Sequence, residues 1–320
     1  MRLSIVFGIA LSLAAPGIST ANLWAAEAGD ALEPPAADSQ AAGDVITLFT
    51  DKSQRMAVDI TINGKGPFPF IIDTGAENTL IARDLADQLA LAEGPDKTIH
   101  SLGATRTVGT VIIPQLAVNR LIVKDTVAAA LSRNNLGAAG ILGLPALKSQ
   151  RMLMDFKAGM MSLTPSDERQ ENWQGESIVV TARSRLGQLI LTDASIDGEF
   201  VQIILDTGND LSVGNLALRR LLSKRGAVRS SAAGPSELLD VNGATTLLDY
   251  AIVKELRIAS LGFENVPIAF ADARVFSVLG LKRAPALLLG MEVLQLFGRV
   301  SIDFGRRRVR FQRPEEYEIQ

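Results

Sequence analysis

The sequence predicts a mainly β protein made of two similar halves, and three observations carry that expectation. The run Phe70-Ile71-Ile72-Asp73-Thr74-Gly75 recurs as Ile203-Ile204-Leu205-Asp206-Thr207-Gly208, with the two aspartates 133 residues apart. Before each copy lies a β-type run and a tight-turn pair, Asn63-Gly64 and then Asp197-Gly198, and such pairs between strands signal hairpins. After each copy the same landmarks follow in the same order, which marks an internal duplication. An apolar run closed by turn residues reads as a buried strand. An ionisable group leaving such a strand is strongly desolvated, so it is expected to be paired or functional. Two matching sites indicate carboxylates built to meet.

Composition removes most other chemistries. At 320 residues and 47% hydrophobic content the chain can bury one large core or two smaller ones. A net charge of −3 leaves no basic footprint for nucleic acid. No cysteine is present, which excludes disulfides, thiol nucleophiles and thiolate metal sites. The single histidine, His100, excludes a multi-histidine zinc site, and no G-x-S-x-G elbow offers a serine nucleophile. Gly64-Lys65-Gly66 runs into Pro67, so no phosphate loop forms there. Carboxylate chemistry survives, with no metal or cofactor expected.

Residues 1–28 read as an export signal: Arg2, then an apolar stretch from Leu3 to Ala15, then small residues at Ser19-Thr20-Ala21 and Ala26-Glu27-Ala28. The stretch is short for a bilayer span, although an uncleaved anchor stays open as the alternative. The expected location is periplasmic or secreted, with no membrane contact beyond the export signal. Residues 29–44, with Pro34-Pro35, read as a flexible leader. A first lobe is expected over 45–164, a polar linker over 165–176 and a second lobe over 177–320.

Within the first lobe, Ala57 to Ile62 alternates as a strand, and Pro67-Phe68-Pro69 leads into the Asp73 run. A short helix follows, with Leu85 and Leu89 on one face, and its counterpart carries Leu218 and Leu222. Gly103-Ala104-Thr105 precedes the β-like run Val108 to Leu116, and Gly243-Ala244-Thr245 is its counterpart. Ile141-Leu142-Gly143 matches Leu288-Leu289-Gly290, and Asp155-Phe156 matches Asp303-Phe304. Trp173 reads as a partly buried aromatic of the linker, and Arg306-Arg307-Arg308 as a solvated hairpin tip.

The segments F-I-I-D-T-G-A-E-N-T-L-I at 70–81 and I-I-L-D-T-G-N-D-L-S-V at 203–213, with the Leu-Gly segments ending at Gly143 and Gly290, resemble the aspartic proteases. The short lobes are closest to the retropepsin-like kind, here as a duplicated single chain. The resemblance covers roughly residues 45–311 and implies two lobes, each a small closed β-barrel with one short helix after its Asp-Thr-Gly turn. It implies an endopeptidase in which Asp73 and Asp206 share one proton and activate a water. The aspartic proteases are themselves the standard instance of such a pair, in which like charges a few ångströms apart cannot both ionise. The resemblance also implies that Thr74 and Thr207 lock the two turns together and that Gly75 and Gly208 allow close backbone approach. Gly103, Ala104, Gly243 and Ala244 become flaps over an extended peptide.

Against the family pattern, the first flap stretch is poor in glycine and carries no tyrosine, and Ala76 and Asn209 differ after the two glycines. Asn209 offers a donor that Ala76 lacks, so Asp206 is expected to be the ionised partner more often, with activity above strongly acidic pH. The expected partner is a protein or peptide substrate, and a complete dyad within one chain implies a monomer. The rival reading is a peptide-binding module that keeps this fold without cleaving.

Overall fold

The computed structural model describes residues 4–5, 9–10, 45–47, 49–50, 56–101, 105–169, 172–173, 175–226, 229–230, 236–243 and 245–313. The expected signal and leader therefore lie outside the described residues apart from 4–5 and 9–10. The architecture is mainly β, as expected. No helix among the described residues is long and apolar enough to cross a membrane.

The first half runs β1 (Met56–Ile62), β2 (Lys65–Ile72), β3 (Leu80–Ala82), α1 (Arg83–Gln88), β4 (Ala92–His100), β5 (Thr105–Val118) and β6 (Leu121–Leu131). It continues through α2 (Arg133–Leu136), β7 (Gly140–Leu142), α3 (Leu144–Leu147), β8 (Gln150–Asp155) and β9 (Met160–Pro165). Strands pair in the order β5-β6-β3-β7-β2-β1, and β1 pairs back onto β5, which closes a six-stranded barrel. The β1–β2 turn places Asn63 at φ 50° and Gly64 at φ 74°, two left-handed positions that match the twist of a two-residue hairpin. In β2, Phe70, Ile71 and Ile72 are all buried. Adjacent strand residues point to opposite faces, so an unbroken apolar run means that both faces are covered.

The second half runs β10 (Ser177–Thr181), β11 (Arg183–Arg185), β12 (Gln188–Leu191), β13 (Ala194–Ile196), β14 (Glu199–Phe200), β15 (Gln202–Leu205), β16 (Val213–Gly214) and α4 (Leu216–Lys224). After these come β17 (Ser236–Asp240), β18 (Thr245–Ile258), β19 (Leu261–Phe270), α5 (Arg274–Val278), β20 (Ala286–Leu289), α6 (Met291–Leu294), β21 (Arg299–Asp303) and β22 (Arg308–Gln312). The order β19-β16-β20-β15 repeats the order β6-β3-β7-β2 of the first half. In each, the third strand is parallel to the aspartate strand: Leu142 pairs with Ile72, and Leu289 with Leu205. Asp197 at φ 49° and Gly198 at φ 80° form the matching hairpin turn. Leu218 and Leu222 of α4 are buried, and Leu85 of α1 is buried with Leu89 packed beside it. Asn215 caps α4 by accepting from the Leu218 amide at 2.8 Å.

A third sheet joins the halves. β8 pairs with β21 from Arg151↔Asp303 to Asp155↔Arg299, and β9 and β22 flank them. The Arg306–Arg308 stretch forms the exposed end of the β21–β22 hairpin, as its composition implies. Trp173 lies 4.3 Å under the Arg310 guanidinium, which pins the polar segment between the halves to β22.

Candidate active site

Each Asp-Thr-Gly turn begins where an aspartate strand ends. The Asp73 amide donates to the Leu142 carbonyl (3.1 Å), and the Asp206 amide to the Leu289 carbonyl (3.0 Å). Past the turn, the Leu144 amide donates to Ala76 and the Met291 amide to Asn209, both at 2.8 Å. The Leu-Gly segments therefore hold both ends of each turn. At Gly143 and Gly290 an added Cβ would lie 2.4 Å from the Asn78 carbonyl oxygen and 2.5 Å from the Leu211 carbonyl, so no side chain fits there.

The two turns meet. Thr74 Oγ1 donates to the Leu205 carbonyl and Thr207 Oγ1 to the Ile72 carbonyl, each at 2.8 Å. Each hydroxyl also accepts the other threonine's amide, at 3.1 Å in both directions. Both hydroxyls are thus spent across the junction, and Thr74 and Thr207 are buried. Gln188 adds a bond from its Nε2 to the Gly75 carbonyl at 2.8 Å. Sequence reasoning missed it, because nothing local connects residues that far apart.

Asp73 and Asp206 have no exposed surface. A Cβ on Gly75 would lie 2.8 Å from Asp206 Oδ1, and one on Gly208 would lie 2.2 Å from Asp73 Cγ. Each glycine thus presses its bare backbone against the opposite carboxyl group. The two carboxyl groups are therefore brought together where the turns meet, each against the opposite turn's glycine. Two buried like charges held in one site disfavour each other, so the pair favours keeping one proton.

Burial pushes Asp206 up to about 7, against the lowering pull of the Gly208 amide and of Asp73. Asp73 Oδ1 receives the Gly75 amide at 2.7 Å, whereas Asp206 Oδ1 receives the Gly208 amide at 3.2 Å. The shorter bond favours the anion at Asp73, and burial makes Asp206 the member that favours the proton. That direction runs against the expectation that Asp206 is the more often ionised member. That expectation needed Asn209 to donate to Asp206, but Asn209 Oδ1 accepts from the Leu211 amide at 3.3 Å and its buried Nδ2 has no hydrogen-bond partner. The side chain serves its own turn instead.

Of the expected flap residues, Gly103, Ala104 and Ala244 lie outside the described residues. Gly243 is described: it sits at φ +80°, donates to the Asp240 carbonyl at 2.9 Å and faces Asn135 of the first half. Beside it the two halves are tied by buried polar groups. Ser101 Oγ donates to Asp240 Oδ2 at 2.5 Å, and Asn242 Nδ2 donates to Ser101 Oγ at 2.8 Å. His100, buried at the end of β4, bonds Thr105 through Nδ1 at 2.8 Å, and burial with the nearby Arg274 charge lowers its pKa. That shift favours the neutral imidazole.

A further carboxyl group escaped the sequence reading. Glu292 of α6 accepts the Ser212 amide on Oε1 at 2.5 Å. Burial, aided by the nearby Asp210 charge and opposed by hydrogen bonds with Ser212, raises it to about 7.

A buried carboxyl pair between two locked turns can take a proton from a water and give one to a leaving group, which is acid-base hydrolysis. Comparison with known proteins agrees in kind. Residues 58–146 match the family model described as aspartyl protease, which supports an aspartyl protease family and a peptidase. No curated protein matches the chain.

Proposed function

We propose that the chain is an aspartic endopeptidase of the retropepsin-like kind, with Asp73 and Asp206 as its catalytic dyad. The observation that carries this reading is the pair of fully buried carboxyl groups at the threonine-locked junction of the two turns, each against the opposite turn's glycine. Asp73 acts as the base and removes a proton from water as the water oxygen attacks the peptide carbonyl carbon. The tetrahedral intermediate collapses as Asp206 gives its proton to the leaving nitrogen and the C–N bond breaks. One water is consumed, and the pair again holds one proton. No covalent intermediate forms.

The recurrence of one four-strand order in both halves supports reading the chain as a duplication that completes its dyad without a second chain. The working form is then a monomer, which gel filtration of the active species checks. The segments Gly103-Ala104 and Gly243-Ala244 are read as flaps over an extended peptide. The signal-like start supports export to the periplasm or beyond, and N-terminal sequencing of the exported protein tests that.

Digestion of unfolded protein and of a peptide library tests the activity. Wild type is expected to cleave, and Asp73→Asn and Asp206→Asn are not. Peptide binding without cleavage by wild type would establish the non-cleaving module instead.

A further inference from the structure

Beside the turn that carries Asp73 lies a cavity of about 930 Å³ that none of the dyad chemistry uses. It opens between the halves: Glu77, Asn78 and Lys97 come from the first half, and Leu186 and Val278 from the second. Leu144 and Pro145 of α3 and Phe304 of the joining sheet add apolar wall, while Lys148 and Arg307 stand exposed at the rim. Among the described residues that line it four are charged, Lys97, Lys148 and Arg307 against the Glu77 carboxylate.

Asn78 is 7% exposed and faces this cavity. Lys97 Nζ donates to Asn78 Oδ1 at 2.5 Å. An ammonium can only donate, so this bond fixes which end of the amide is oxygen. Asn78 Nδ2 is then a buried donor, and among the described residues it has no hydrogen-bond partner. Buried donors in folded proteins are nearly always paired, and one that is not asks for an acceptor from outside the chain. Burial also lowers the Lys97 pKa, and the Glu77 charge opposes that. A half-buried cation of this kind is better satisfied when an anion joins it.

We propose that this cavity is a specificity subsite in which Asn78 Nδ2 and Lys97 receive the carboxylate of a Glu or Asp side chain of the peptide substrate, at a position outside the scissile bond, with apolar neighbours on Leu144, Pro145 and Val278. The proposal rests on the endopeptidase reading for its occupant. It does not rest on that reading for its test, because binding can be measured without turnover.

Fluorescein-labelled peptides of one fixed extended sequence that differ only by Glu, Gln or Lys at each successive position are titrated against the full-length Asp73→Asn variant by fluorescence anisotropy. The same peptides are digested by wild type. At one position Glu is expected to bind on the order of tenfold more tightly than Lys, a difference of about 1.4 kcal/mol. Lys97→Glu in the same background is expected to reverse the order, and Lys97→Met to abolish it. Lys148→Glu, at an exposed position where folding is not at risk, is expected to weaken it. Indifference to charge at every position, or a Glu preference that survives both Lys97→Glu and Lys148→Glu, would overturn the subsite. If the charge preference appears in binding while wild type cleaves nothing, the subsite stands and the endopeptidase reading falls. Cleavage without the preference has the opposite meaning.

Discussion

Glu292→Gln isolates one buried ionisation outside the dyad. Glu292 is raised from 4.5 to about 7, chiefly by burial. The folded protein therefore holds a proton that the unfolded chain releases as pH passes about 4.5. The stability linked to this group is fully present below the unfolded value and is lost as pH rises toward about 7. The 4.5-to-7 interval corresponds to about 3 kcal/mol at 1.36 kcal/mol per unit, an upper bound since relaxation and water entry discount it. Glutamine keeps an oxygen for the Ser212 amide and cannot ionise. Urea unfolding of wild type and variant at pH 4, 6 and 8 is the assay. The two are expected to match at pH 4, and the variant is expected to be more stable at pH 8, by up to about 3 kcal/mol. A variant that tracks wild type at every pH would refute the buried, proton-holding assignment. A variant less stable at pH 8 would do the same.

The threonine junction and the glycine contacts give two further tests. Thr74→Val strips a donor from the Leu205 carbonyl and an acceptor from the Thr207 amide, and each orphaned group costs about 1–3 kcal/mol. A double-mutant cycle with Thr207→Val should show strong coupling, and serine at either site should restore most of the loss. Additive losses in that cycle would mean the two hydroxyls do not act together. Gly208→Ala would put a Cβ 2.2 Å from Asp73 Cγ, so the carboxyl groups must part. Peptidase activity is then expected to fall at least about 100-fold, as for a misplacement of about 1 Å, in a protein that still gives a strand-rich circular dichroism spectrum. Near-normal activity would show that the close approach is not needed.

Much of the site was legible because its signals are local. Asn63-Gly64 and Asp197-Gly198 announce their turns by residue type, and the apolar runs before Asp73 and Asp206 announce strands buried on both faces. Leu218 and Leu222, four residues apart, fix the buried face of α4 before any coordinates are seen. The groups that escaped are those whose partners are distant in sequence. Glu292 reaches Ser212, Gln188 reaches Gly75, and Ser101 reaches Asp240 across 80, 113 and 139 residues. The joining sheet is hidden for the same reason, since the pairing of β8 with β21 leaves no local trace. Asn209 misled differently. Its neighbour in sequence is the Asp206 turn, but its side chain closes a turn of its own at Leu211, and residue type alone does not choose between those two bonds.

The proposed mechanism depends on the shared proton, and the pH dependence of kcat/KM on a cleaved peptide tests it most directly. With Asp206 near 7 and required in its protonated form, the alkaline limb should have a midpoint near pH 7 and fall tenfold per unit beyond it, and Asp206→Asn should cleave nothing. A profile confined below about pH 4, where free carboxyl groups titrate, would contradict it. So would undiminished cleavage at pH 9, or cleavage that persists in Asp206→Asn.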